Sequence, residues 1–376
     1  TQRRDVRGEQ IVYTVTLPAS APLALQADWL TVMRNAATRQ HPGQPMTLVG
    51  HSAGGVVGLL AVDAGVKGRP GILVGTARGP VLLVPGDGKY SARELKAEEA
   101  LGRAGPPLAA DLDGDGFYDV LQPFEKAGLV WPGKGGAEFA APKRVHIAGG
   151  WDPKENKGLG PIRTCTGDWD QDGRLDVFGV GEYCCALWNN RGQFKFINTF
   201  ACSGEMCYTA QPDGLSVGVD DHNCDGLQDL LIVYPGASPH HYFNRGYRSF
   251  GKSLETVFNH EAFPSETSDG CRAGLVEDLN GDGGQDMALV MKSGEVQIWL
   301  TEVDVDEPPL SLRAVLPPGS PFSGPVAVTA WNDRKCLGAW NVSAGSPGAY
   351  FGMSAAGKCR LKWRFPGGKE IEKTET

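Results

Sequence analysis

The apolar positions of this chain fall in short runs separated by polar, glycine-rich turns. Val120-Leu121, Val177-Phe178, 230–233 and 287–290 are such runs, and each directly follows an Asp-rich loop. Apolar runs this short, bounded by turn residues, read as buried strands. A second run lies about 20 residues after the first Asp of each loop: Val130-Trp131, Leu187-Trp188, Tyr242-Phe243 and Ile298-Trp299. The pattern predicts a series of small sheets, each made of several short strands.

The loops align without gaps. They read DLDGDGFYD (111–119), DWDQDGRLD (168–176), DHNCDGLQD (221–229) and DLNGDGGQD (278–286), and their first positions are 57, 53 and 57 residues apart. Two degenerate copies extend the register, one beginning at Asp63 and followed by 72–74 and Leu83, the other beginning at Ala330 with Tyr350 20 residues on. A weaker copy starts at Asp5. Seven units at this pitch fill the chain, and units of this size suit propeller blades, which stack because a lone sheet cannot bury both faces. The expectation is an all-β, seven-bladed β-propeller, with six or eight blades as alternatives. In this division 1–62 is a weak first blade or an N-terminal extension, 63–366 the blades and 367–376 a frayed polar tail.

The loops carry a family resemblance. The D-x-[DN]-x-D-G-x-x-D pattern, repeated at this pitch, resembles the FG-GAP/VCBS repeat proteins, whose type is the calcium-binding integrin α-subunit propeller. The Phe-Gly and Gly-Ala-Pro signatures are poorly kept, so the closer likeness is to the bacterial and fungal VCBS type. The resemblance implies about four Ca²⁺ ions. Alternating oxygen ligands wrap a hard cation, and the Gly after the third ligand permits a sharp turn. The ligand sets would be Asp111, Asp113, Asp115, the Phe117 carbonyl and Asp119; Asp168, Asp170, Asp172, the Arg174 carbonyl and Asp176; Asp221, Asn223, Asp225, the Leu227 carbonyl and Asp229; and Asp278, Asn280, Asp282, the Gly284 carbonyl and Asp286. In the degenerate copies Lys67 and Arg334 occupy the fifth position, where a fixed cation would replace the metal.

Charge agrees with this reading. The chain has 44 Asp+Glu against 36 Lys+Arg, and 14 of the acids lie in the four loops. Carboxylates packed this closely repel unless a cation sits among them. Net charge is −8, with no long basic run, so no nucleic-acid partner is expected. The longest apolar stretch, 55–62, is too short to cross a membrane, so no membrane insertion is expected. Gly is frequent, 52 of 376 residues, which favours turns over helices.

Nine cysteines, all from Cys165 onward and without paired CxxC knuckles, suggest disulfides and a secreted or surface location, the periplasm included. Cys336 with Cys359 is one candidate staple and Cys202 with Cys207 another, and the odd count allows an inter-chain bond. A start at Thr1 without Met fits a trimmed product, and Asn341-Val342-Ser343 is a glycosylation acceptor pattern.

One motif points elsewhere. GHSAG (50–54) matches the nucleophile elbow of serine α/β-hydrolases, with Ser52 as nucleophile and a helical pattern over 27–40 before it. The 49 residues upstream are too few for the strands such a sheet needs. His240-His241, as adjacent strand residues, would point to opposite faces, which favours a surface role. The recurring tryptophans 131, 188, 299, 331, 340 and 363 are expected to pack between blades. The resemblance implies a binding protein for a glycan or a protein partner. The alternatives are a polysaccharide lyase or hydrolase on the same scaffold, a Ser52 esterase, or an architectural subunit of a larger assembly.

Overall fold

The computed structural model describes residues 2–6, 10–14, 59–97, 100–202, 216–252, 271–303, 311–316 and 324–375, short breaks within these spans aside. Among the described residues every regular element is a β-strand. Ser52 and the rest of 50–54, the helical pattern over 27–40, Lys67 and Arg334 lie outside them.

Five sheets follow one another along the chain, each an antiparallel meander. The first joins Leu59–Val62, Gly71–Val74, Val81–Pro85 and Tyr90–Glu94. The second joins Leu108–Ala110, Asp119–Pro123, Gly128–Trp131 and Lys143–Val145. The third joins Arg163–Gly167, Asp176–Gly181, Cys184–Asn190 and Phe196–Cys202. The fourth joins Ser216–Asp220, Asp229–Val233, His240–Asn244 and Phe250–Lys252, and the fifth Cys271–Glu277, Asp286–Met291 and Val296–Trp299. In the second to fifth sheets the Asp-rich loop links the first strand to the second, and its ninth residue opens the second strand.

The second strands are buried along their whole length in the second, third and fourth sheets. A strand buried on both sides needs a sheet against each face, and the apolar clusters show which. One cluster joins Val62, Leu73 and Leu82 of the first sheet to Val120, Leu129 and Trp131 of the second. Another joins Leu121 and Val130 of the second sheet to Val177 and Trp188 of the third. A third joins Phe178 and Leu187 to Leu230 and Tyr242, and a fourth Leu231 and Val233 to Met287 and Leu289. Successive sheets therefore pack face to face. Trp131 and Trp188 are buried in these seams, as expected of packing residues, and burying a side chain of this kind stabilises by roughly 2–3 kcal/mol.

The C-terminal strands are built differently. Ser311–Ala314 pairs with Ala349–Gly352, while Lys335–Val342, Val326–Asn332, Cys359–Phe365 and Lys369–Glu375 form a four-stranded sheet in that spatial order. The Ala330 register expected to be a loop lies instead inside the hairpin of Val326–Asn332 and Lys335–Val342. The tail expected to fray contains an edge strand, Lys369–Glu375, in register with Cys359–Phe365. Its alternating charges meet partners across the pair: Lys362 Nζ lies 2.8 Å from Glu370, Arg364 Nε 3.5 Å from Glu370 and Arg360 Nε 3.6 Å from Glu372. Opposite charges facing across an antiparallel pair favour its formation. The expected Cys336–Cys359 staple is not formed. Both thiols are free, as are Cys165 and Cys224. Cys336 and Cys359 face Trp331 and Asn332 respectively, which places them at different rungs and away from each other.

Candidate metal centres

Four loops share one hydrogen-bonded frame. The first Asp accepts the sixth residue's N–H: Gly116 to Asp111 at 3.1 Å, Gly173 to Asp168 at 2.9 Å, Gly226 to Asp221 at 3.1 Å and Gly283 to Asp278 at 3.2 Å. That glycine has positive φ in every loop, between 83° and 90°, a conformation that a Cβ would strain. The fifth residue accepts the seventh residue's N–H: Asp115 from Phe117, Asp172 from Arg174, Asp225 from Leu227 and Asp282 from Gly284. At the third position Asp113, Asn223 and Asn280 each accept the N–H two residues on. These are Asx turns, the local chemistry that lets short acidic side chains fold a loop.

The ninth Asp ties each loop to its sheet. Asp119 accepts Leu112 N–H at 2.8 Å and Gly133 N–H at 2.9 Å. Asp229 accepts His222 N–H and Asn244 N–H, and Asp286 accepts Leu279 N–H and Thr301 N–H. Asp176 accepts from Asn190 N–H and from the Asn189 side chain, both at 2.8 Å. All four ninth residues are fully buried.

The electrostatics of the loops suit a cation. Asp111, Asp113 and Asp115 present carboxylate oxygens within 4.8 Å of one another, and so do Asp168, Asp170 and Asp176. Burial first, and neighbouring loop acids after it, push the Asp119 and Asp176 carboxyls up to about 8 and those of Asp168 and Asp221 to about 7. Burial also raises Asp111, to about 6, against the lowering pull of Arg364. Asp221 Oδ1 is buried with no hydrogen-bond partner, and leaving a buried carboxylate oxygen unpaired is unfavourable by a few kcal/mol. Hard oxygen donors at alternating positions, with an orphaned buried oxygen among them, fit Ca²⁺.

Several neighbours of the loops were not anticipated from sequence. The eighth residue reaches back one repeat: Tyr118 Oη donates to the Asp63 carbonyl at 2.8 Å, and Gln228 Oε1 accepts Asp168 N–H. Gln228 also donates through Nε2 to the Ala339 carbonyl at 3.0 Å. The C-terminal strands contact the first Asp of all four loops. Arg364 Nη1 lies 3.6 Å from Asp111 Oδ2, Cys336 Sγ 3.8 Å from Asp168 Oδ2, Gly352 N–H 2.8 Å from Asp221 Oδ2 and Tyr350 Oη 3.2 Å from Asp278 Oδ2. Arg364 lines a small cavity with Asp111, Asp113, Arg174, Asn190 and Thr329. No spacing rule in the sequence pairs residue 364 with residue 111.

The histidines overturn the expected surface role. His240 is half-buried beside Tyr234 and Tyr242, while His241 on the other face of the strand is buried and packs on His222, ring centroids 4.4 Å apart. The Asn341 amide donates to Thr166 Oγ1 at 3.1 Å, an internal contact that a glycan on that nitrogen would break.

The described residues thus define a class: an all-β chain of antiparallel sheets stacked in sequence order, with acidic metal-type loops at corresponding corners. No family model matches the chain, and no curated protein does. Among solved structures the chain is similar to a lectin of Agrocybe aegerita described as recognising non-reducing terminal N-acetylglucosamine, at 16% identity over 85% of each chain and a TM-score of 0.45. It is also similar to PorZ, a surface component of the type-IX secretion system of Porphyromonas gingivalis, at 10% identity over 89% of this chain and 46% of that one, TM-score 0.42. A third likeness is to BBS1N solved in complex with ARL6DN, at 10% identity over 85% and 77%, TM-score 0.40.

Proposed function

We propose that the chain is a secreted, calcium-stabilised β-propeller of the FG-GAP/VCBS type that binds a glycan or protein partner. The observation that carries the calcium reading is the common frame of the four loops, in which the same positions accept the same N–H groups around crowded, buried carboxylates. Ca²⁺ would be held by the first, third, fifth and ninth side chains and the seventh carbonyl of each loop. When bound it supplies positive charge and joins the strand ends that the loop connects. This reading counts as its seven units the five sheets, the hairpin of Gln2–Val6 and Gln10–Thr14, and the C-terminal strands taken together. A hydrogen bond from Asp63 N–H to the Gly324 carbonyl at 2.7 Å joins the first sheet's loop to the approach to the C-terminal sheet.

The functional part of the reading rests on the resemblance of the loops, and fold by itself does not fix function. It is tested by screening the calcium-loaded full chain on a glycan array, with a chelated sample alongside. Saturable binding to a defined glycan that disappears on chelation is the expected result. Glycan-independent hydrolysis of an activated ester, stoichiometrically blocked by a fluorophosphonate at Ser52, would replace this reading with the esterase one.

A further inference from the structure

The repeats act as internal controls for one another, and the fourth sheet carries two imidazoles and a carboxylate at three positions where the second and third sheets have none of these groups. The second loop position is Leu112, Trp169 and Leu279 elsewhere, with Leu112 and Trp169 buried in the core, but His222 here. Asp220 ends the first strand, paired with Asp229, where the second and third sheets have Ala110 and Gly167 and the fifth has the acid Glu277, so it is the two histidines that set the fourth sheet apart from all of them. His241 faces Leu231 on the third strand, where the corresponding pairs hold Val130, Leu187 and Ile298.

These three replacements converge. One ligand-type atom from each of Asp220, His222 and His241 lies within 4.8 Å of the others. Asp220 is fully buried and His241 is 2% exposed. Both Asp220 oxygens, both His241 ring nitrogens and His222 Nδ1 are buried without a hydrogen-bond partner. His241 Nδ1 approaches Asp220 Oδ2 to 3.3 Å, yet the pair does not form a hydrogen bond. Five unpaired polar atoms in one buried spot would be strongly destabilising on their own. Decay of a repeat would put a single polar residue at one position, not two imidazoles and a carboxylate facing one another.

We propose that Asp220, His222 and His241 bind one Zn²⁺ ion, in a site separate in chemistry from the calcium loops. Two imidazoles and a carboxylate suit a borderline transition metal, whereas Ca²⁺ takes oxygen donors. Three protein ligands leave one tetrahedral position for water or an exogenous donor. His222 is half-buried and belongs to the loop rather than a strand, so it gives the ion its way in. The Asp221 side chain and the His222 N–H belong to the calcium frame while the His222 side chain turns to the other ion, so the two sites share a loop but not a ligand.

The test uses the full chain, stripped with a chelator and returned to excess Ca²⁺, and titrated with Co²⁺. One equivalent of tightly held Co²⁺, with the intense visible bands of a four-coordinate centre that Zn²⁺ then bleaches, is expected. His222→Ala, which leaves the backbone donor to Asp229 in place, should lower the Co²⁺ affinity by more than about tenfold, the loss expected even for an outer partner of a metal ligand. Asp225→Asn, in the calcium loop, should leave the bands intact. No retained Co²⁺ in excess Ca²⁺, displacement of Co²⁺ by Ca²⁺, or unchanged bands in His222→Ala would each overturn the proposal. His241→Gln is a further variant, and if it fails to fold, the half-exposed His222 position still decides the question.

Discussion

In the second to fifth sheets the first and second strands are joined by a nine-residue loop folded on its own carboxylates, whereas in the C-terminal sheet Val326–Asn332 and Lys335–Val342 form a tight hairpin. The repeat sheets keep meander order; the C-terminal sheet places its strands second, first, third and fourth in chain order. Both regions sit on the same repeat pitch in the sequence, yet only one has acids at the corners. The C-terminal region instead supplies donors and a cation to the other region's acids: Gly352 N–H, Tyr350 Oη and Arg364. Acidic corners and the strands that cover them are two halves of one electrostatic arrangement, and experiments that change one half should register in the other.

The largest effect should follow removal of calcium. A ligand that binds only the native state at 100 times its Kd adds about 2.7 kcal/mol per site. With several sites, chelation should lower the melting temperature by on the order of 10 °C. Differential scanning calorimetry with calcium and with chelator measures this. A melt that does not move on full chelation would remove the metal from the comparison and leave the loops as acidic turns.

A change of pH should come next and should act with opposite sign on the two forms. In the metal-free chain Asp119 and Asp176 are raised from 3.8 to about 8, and Asp168 and Asp221 to about 7. Each group keeps its proton in the folded chain where the unfolded chain has released it. The folded state then binds more protons, and stability falls as pH rises from about 4 to about 8. Calcium requires the deprotonated carboxylates, so the loaded form should lose its metal, and its stability, as pH falls. Melting temperatures plotted against pH should therefore cross. Parallel curves in calcium and in chelator would show that the raised acids are not the metal ligands.

A single substitution at the junction of loop and sheet is expected to be smaller but local. Asp119→Ala removes a buried acceptor from Leu112 N–H and Gly133 N–H together. Each orphaned donor is unfavourable by about 1–3 kcal/mol, so the chelated protein should lose about 2–5 kcal/mol in urea unfolding. The comparison in chelator separates the hydrogen-bonding role of the ninth Asp from any metal role.

Much of the repeat region was legible because its signals are local. The Asp spacing, the sixth-position glycine with positive φ and the apolar pair 20 residues on all report short-range constraints, and the second and third strands of the sheets lie where those signals put them. The loop at Asp63 also falls in place, between Leu59–Val62 and Gly71–Val74. The Ala330 copy misled because its spacing survives without its chemistry: no acid stands at its first position, and the backbone continues as strand. The tail misled because polarity was read as disorder, whereas Lys-Glu alternation is what an edge strand paired to Lys362 and Arg364 needs. Contacts such as Gln228 to Ala339 or Arg364 to Asp111 are set by tertiary placement and leave no mark in any window of sequence. The burial of His241 leaves no local mark for a related reason: it depends on Asp220 at the end of another strand and on His222 in the loop that follows it.

The finest test of the comparison is Arg364. Its guanidinium faces Asp111 at 3.6 Å and Glu370 at 3.5 Å and is about one-quarter exposed. It is the C-terminal region's positive charge at the second sheet's loop, where it pulls the Asp111 carboxyl down against burial. Arg364→Gln should lower stability in chelator by no more than about 1 kcal/mol, the range of partly exposed ion pairs. Calcium should move the other way. With the competing cation gone, Coulomb repulsion between the arginine and the incoming ion is lost, and one of the calcium affinities should rise a few-fold by isothermal titration. Arg360→Gln removes a charge from the same strand that pairs with Glu372, away from the acidic loops, and should leave the calcium isotherm unchanged. Equal isotherms for both variants would mean that the C-terminal strands touch the loop without tuning it, and the two regions would be neighbours rather than complements.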